Sequence, residues 1–176
     1  MTPTRRPVIG VMGGGDSAPS TLEAASRFGR LVAEAGWVVL TGGRPAGVME
    51  AASAGAKSVP GSLTVGILPS GPEGPASAMV DIAVFTGVGE ARNAINVLSS
   101  DVVVACGVEG AGTASEVALA LKLGRPTILL AAAGAAAAFF RTIAGGAPLY
   151  EAETPEAAVE MIQHRLGVAP WAGPEA

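Results

Sequence analysis

Short runs of apolar, mostly β-branched residues alternate with longer helical patterns along the whole chain, and this alternation restricts the possible folds more than any other feature. The runs Val8–Met12, Trp37–Thr41, Leu63–Leu68, Asp81–Phe85, Asp101–Cys106 and Thr127–Leu130 read as strands. Their apolar positions are continuous rather than alternating, as in strands covered on both faces. Between and after them, Ser20–Ala35, Gly47–Lys57, Gly89–Ser99, Thr113–Leu123, Ala135–Ile143 and Pro155–Arg165 carry helical patterns. The expected fold class is α/β, a single Rossmann-like, doubly wound parallel sheet with helices on both faces. One domain is expected over residues 1–166, with a loose tail at 167–176 rich in Pro, Gly and Ala.

Glycines cluster after the strands: Gly13-Gly14-Gly15, Gly42-Gly43, Gly71, Gly87 and Gly107/Gly110/Gly112. In an open parallel sheet the loops that follow the strands form the ligand crevice, so the functional residues are sought there. The bulk numbers exclude several other readings. A net charge of −4 opposes nucleic-acid binding, which needs a clustered positive surface. Cys106 is the single cysteine and His164 the single histidine, so a disulfide framework, a multi-cysteine metal site and a Ser-His-Asp triad lack material. Cys106 reads as a buried strand cysteine, and no dissociable metal is expected. Lys57 and Lys122, the only lysines, both fall in helical patterns, which disfavours a pyridoxal-phosphate enzyme. No apolar run is long enough to span a membrane. Thr4-Arg5-Arg6 before Pro7–Met12 superficially resembles a twin-arginine signal, but the apolar stretch ends at Gly13 without a cleavage site. It reads as a basic lead-in to the first strand, and a cytoplasmic location is expected.

Three constellations can carry chemistry. The strand Asp101–Cys106 runs into Gly107-Val108-Glu109-Gly110-Ala111-Gly112-Thr113 and then a helix. Gly110 and Gly112 let the backbone turn and approach a ligand, and a helix start offers free N–H groups and partial positive charge to a phosphate. Thr113 and Glu116 fit two roles equally: ligand contacts, or a capping box in which Thr113 caps the helix and Glu116 bonds back. Neither a dinucleotide fingerprint nor a Walker loop is present. The second constellation lies on Gly89–Ser99, where Arg92, Asn96 and Ser99 form a polar stripe opposite Ala91, Ile95 and Leu98. Such a stripe is commonly a solvated face. Yet the chain has only 11 basic residues, and asparagine is a poor surface-helix filler, so Arg92, Asn93 and Asn96 are site candidates. The third is Thr41-Gly42-Gly43-Arg44, a possible anion nest, with Arg44 either in the crevice or in water. Gly13 and Gly14 join the candidates from the first strand-to-helix turn, beside Gly15, Asp16 and Ser17. Pro69-Ser70-Gly71 is expected at a rim or lid.

Gly110-Ala111-Gly112-Thr113-Ala114-Ser115-Glu116 resembles the G-x-G-T-x-x-E core of the Lonely Guy superfamily, whose enzymes are phosphoribohydrolases acting on nucleoside 5′-monophosphates. By that resemblance Arg92 and Glu116 would be catalytic. The chain departs from it twice, with Val108-Glu109-Gly110 in place of Pro-Gly-Gly and Arg92-Asn93 in place of Arg-Lys. A fuller likeness runs through Leu40-Thr41-Gly42-Gly43-Arg44, Gly47-Val48-Met49, Ala91-Arg92-Asn93-Ala94-Ile95-Asn96 and Gly112-Thr113 to Lys122. It is to the molybdenum cofactor carrier proteins, and it covers most of the chain from Pro7 to Leu166. That resemblance implies a non-catalytic carrier of molybdenum cofactor as bound ligand, assembled as a homo-oligomer (dimer or tetramer), with molybdoenzymes or cofactor-synthesis proteins as partners. Its phosphate would rest on Gly110–Thr113 and Arg92. A hydrolase and a non-catalytic nucleotide-binding regulatory module are the alternatives. The helix Val117–Leu121, apolar almost all round, is expected between the sheet and a partner subunit.

Overall fold

The computed structural model describes residues 5–132 and 134–172. Seven strands, β1 (Val8–Met12), β2 (Val38–Thr41), β3 (Leu63–Leu68), β4 (Ile82–Phe85), β5 (Val102–Cys106), β6 (Thr127–Leu130) and β7 (Leu149–Ala152), form one sheet. All pair in parallel, in the order β4-β3-β2-β1-β5-β6-β7. The helices are α1 (Pro19–Glu34), α2 (Gly47–Lys57), α3 (Arg92–Leu98), α4 (Ala111–Lys122), α5 (Ala135–Ile143) and α6 (Pro155–Glu160). A 3-10 turn, Gly89–Ala91, leads into α3, and a π-helical turn, Met161–Arg165, follows α6. This is the expected doubly wound α/β architecture. The four-residue β7, with Glu151 at its centre, escapes the sequence reading because nothing in it repeats.

The inner strands β1, β2, β5 and β6 are buried on both faces, which explains their continuous apolar runs. Alternate residues of β5 face opposite ways: Val102, Val104 and Cys106 pack with Phe28, Val32 and Ile162, while Val103 and Ala105 pack under the other helices. Helices α1 and α2 approach until their backbones nearly touch. A Cβ on Gly29 would strike the Ala52 backbone, and one on Gly55 the Ser26 backbone.

Winding runs outward from β1 to β4, then returns across the sheet to β5. The loops after β1 and β5 therefore diverge and leave a crevice between them. At the opposite end, residues 167–172 of the expected tail lie along the body. The Trp37 Nε1 donates to Ala169 O (2.8 Å), and the Trp171 amide donates to Ala35 O (2.8 Å). Residues 173–176 of that tail, and Thr4 of the basic lead-in, lie outside the described residues. No helix among the described residues is long and apolar enough to cross a membrane.

Candidate functional site

A cleft of about 330 Å³ opens at this switch point. Gly13, Gly14, Gly15 and Asp16 line it from the end of β1, and Gly42 and Arg44 from the end of β2. Glu90, Arg92 and Asn93 come from the lead-in and first turn of α3; Glu109, Gly110, Gly112, Thr113 and Glu116 come from the β5–α4 connection. Of the expected site residues, Gly43, Ala111 and Asn96 do not line it. Gly43 is buried beneath, in the left-handed region (φ +70°) against Gly66.

Helix α4 begins two residues earlier than expected, with Gly110 at its N-cap and no side-chain cap. This removes the capping box: Thr113 and Glu116 lie inside the helix. The Ala114 N–H is the first to find an acceptor, Gly110 O at 3.0 Å. The amides of Ala111, Gly112 and Thr113 are left with no backbone acceptor, as at any helix start. The glycines serve differently from the tight turn expected. Gly110 is extended (φ −153°), and a Cβ on Gly110 or Gly112 would have no atom within 4 Å. The fold does not require glycine at either place; the missing side chains leave the helix start bare to the cleft.

Helix α3 sits the other way round from its sequence pattern. Its polar residues Arg92, Asn93 and Asn96 are buried, whereas Ile95 and Leu98 are 37% and 53% exposed. Ser99 turns outward and leaves the stripe. The asparagines stitch α3 to α4: the Asn93 Nδ2 donates to Ser115 Oγ (2.9 Å) and the Asn96 Nδ2 to Glu116 Oε1 (2.7 Å).

Arg92 is 5% exposed, makes no hydrogen bond or ion pair among the described residues, and has a buried Nε without an acceptor. Its guanidinium lies over Gly42, where any Cβ would collide with Nη1. Burial lowers its pKa; Glu116 and Glu90 oppose that shift and Arg44 adds to it. For Glu116, burial raises the carboxyl pKa against the pull of Asn96 and Arg92. A guanidinium this buried and unpaired is costly unless an anion completes it. Arg44 is exposed on the cleft wall, so both of its expected readings hold in part. Below the cleft, burial pushes the Cys106 thiol up to about 12, an inert core position.

Pro69 and Ser70 form no lid. Their carbonyls accept the Gly89 and Gly87 N–H groups and hold the turn ahead of α3. Two lining carboxylates, Glu90 and Glu109, were not among the expected residues. For Glu109 the signal was present, since it stands where the phosphoribohydrolase motif has glycine.

The SLOG cluster4 family model matches residues 6–159. The molybdenum cofactor binding protein from the phototrophic bacterium Rippkaea orientalis is 49% identical, with a TM-score of 0.87 over 92% of this chain and 98% of that one. The molybdenum cofactor carrier protein from Chlamydomonas reinhardtii is 43% identical, with a TM-score of 0.84 over 92% of this chain and 99% of its own. An uncharacterized protein of Archaeoglobus fulgidus is 46% identical over 117 residues, 66% of this chain and 75% of that protein.

Proposed function

We propose that this chain, which belongs to the SLOG cluster4 family, binds, protects and carries molybdenum cofactor, a pterin monophosphate, without catalysis. The observation that carries the reading is Arg92, a buried cation lining the cleft with no hydrogen bond or ion pair among the described residues. The bare first turn of α4 stands in the same cleft, and the two together suit a terminal phosphate. Gly13, Gly14, Gly42 and Arg44 close the wall around the rest of the ligand. Gly43 supports that wall from beneath, while Asn93 and Asn96 hold α4 in place. The cleft volume falls within the range of small-ligand sites. Identities of 43% and 49% to proteins named for this cofactor support the same cargo. The hydrolase alternative gains nothing from the geometry, because Glu116 is buried and tied to Asn96.

The reading extends to a cytoplasmic location, to molybdoenzymes or cofactor-synthesis proteins as partners, and to a homo-oligomer. Assembly draws support from apolar side chains left uncovered on one side of the molecule. Ile82 and Val84 on the edge strand β4 are 49% and 40% exposed, and Ile95 and Leu98 of α3 are exposed too. The expected partner face on α4 is mostly covered within the chain, with Val117, Ala120 and Leu121 all buried.

The test is protein purified from a cofactor-making host, oxidised, and assayed for the fluorescent pterin product. Near-stoichiometric pterin is expected, lost in Arg92→Ala while the thermal midpoint holds or rises, since an unpaired buried charge has been removed. No pterin above background in the wild type would overturn the reading. Full retention in Arg92→Ala would remove Arg92 from the site.

A further inference from the structure

The cleft proposed for an anion is lined by four carboxylates, Asp16, Glu90, Glu109 and Glu116, and by only two guanidinium groups, Arg44 and Arg92. Even leaving out the buried Glu116, acidic groups outnumber basic ones in this lining. Carboxylates repel a phosphate, so their presence needs a second reason. Glu116 and Glu90 have one, because both lie in the field of Arg92. Asp16 is exposed and makes no side-chain hydrogen bond among the described residues. Glu109 is exposed as well, but its carboxylate has a hydrogen-bond partner in the chain and no cation among the described residues.

Its Oε1 accepts a hydrogen bond from the Thr21 Oγ1 (3.0 Å), a hydroxyl that α1 supplies from a buried position. Gly107 makes this meeting possible. It sits in the left-handed region (φ +62°), and a Cβ there would lie 3.1 Å from Thr21 Cγ2 and 3.3 Å from Glu109 Oε1. The strand end is therefore shaped so that Glu109 folds back onto α1. Glu109 enters none of the ion pairs among the described residues. Oε2 has no hydrogen-bond donor among the described residues, and Oε1 keeps a second lone pair. A carboxylate placed this way presents two acceptors to whatever fills the cleft.

We propose that Glu109, oriented by Thr21, selects the ligand's heterocycle by accepting the paired donors of a 2-aminopyrimidin-4-one edge, a ring N–H beside an exocyclic amino group. The spacing of those two donors matches the two oxygens of one carboxylate, the geometry by which carboxylates and bases pair. Arg92 and the α4 helix start then hold the charged end of the ligand, and Glu109 reads its neutral end. This rests on the cleft being a phosphate-ligand site, as proposed above. The edge is common to a pterin and to guanine, so the experiment has to separate the two sources.

The probes are guanosine 5′-monophosphate and inosine 5′-monophosphate, which differ only in the exocyclic amino group, titrated by calorimetry into full-length protein freed of bound pterin. Wild type is expected to bind the guanosine nucleotide about ten-fold more tightly or better. The ratio falls toward unity in Glu109→Gln and drops part of the way in Thr21→Val. Arg92→Ala weakens both nucleotides and leaves their ratio in place. Equal binding of the two nucleotides by wild type overturns the proposal and leaves the phosphate site standing. So does a ratio untouched by Glu109→Gln.

Pterin co-purification, measured for wild type and Glu109→Gln, assigns the source. Pterin present in wild type and reduced in the variant assigns the edge to the pterin. Guanine discrimination without recoverable pterin assigns it to a guanine nucleotide and sinks the carrier reading alone. If neither nucleotide binds, pterin retention decides: a loss in Glu109→Gln supports the proposal and unchanged retention overturns it. A protein that holds neither nucleotides nor pterin overturns both readings.

Discussion

Gly112 occupies the second position of α4, where helix propensity alone favours alanine by up to about 1 kcal/mol, and the space beside it is empty. Gly112→Ala should therefore melt at or above the wild-type temperature, while pterin retention falls several-fold because the new methyl stands between the amides and the ligand. A thermal melt beside the pterin assay reads both effects. Retention equal to wild type would take the first turn of α4 out of the phosphate site. The sequence marked Gly110, Gly112, Arg92 and Glu116 as site residues because glycines, a guanidinium and a carboxylate near strand ends have few other uses. It showed Glu109 only as a departure from the phosphoribohydrolase motif, since one glutamate in a glycine-rich loop looks solvated. What orients it, Thr21, is 88 residues away along the chain. Asn96 illustrates the same limit: its type hinted at a role, but only the fold reveals that it grips Glu116 from behind the cleft.

At the scale of elements, Asp101 joins the start of β5 to the lead-in of β1. Its carboxylate accepts both arms of Arg5 (2.6 and 2.8 Å) and the Val8 N–H (2.8 Å). Burial pushes its pKa up, but these donors outweigh burial and hold it below the ordinary 3.8. A depressed native pKa adds stability that is fully present above the unfolded value and is lost as pH falls through the folded one. Asp101→Asn is therefore expected to be less stable than wild type at neutral pH, and the gap to narrow as the pH drops below 3.8. Urea titrations at neutral and acidic pH measure this, and a gap independent of pH would refute it. The strands buried on both faces were legible from their unbroken apolar runs. On helix α3 the residue types, not the pattern, pointed to Arg92, Asn93 and Asn96 as site residues, because an apolar stripe is ordinarily the buried one. Here Arg92, Asn93 and Asn96 are held in by a cleft and by α4, and Ile95 and Leu98 are turned out.

For the whole molecule, Ile95 and Leu98 of α3 and Ile82 and Val84 of the edge strand β4 are large apolar side chains left exposed among the described residues. An open edge strand with apolar neighbours invites pairing, and a second copy of the chain is the proposed cover. Leu98→Glu should shift wild-type oligomer to monomer in sedimentation velocity at micromolar concentration. A wild type that already sediments as a monomer would contradict the assembly. The position of the two tryptophans has a separate consequence. Trp37 bonds Ala169, and Trp171 lies over Gly36, where any Cβ would meet it. Both indoles are thus gathered at the end of the sheet away from the crevice. The emission wavelength of the protein then reports whether this far end is folded, while a pterin in the cleft carries its own longer-wavelength signal. Departure of the cargo and collapse of the fold can be followed as two colours in one cuvette.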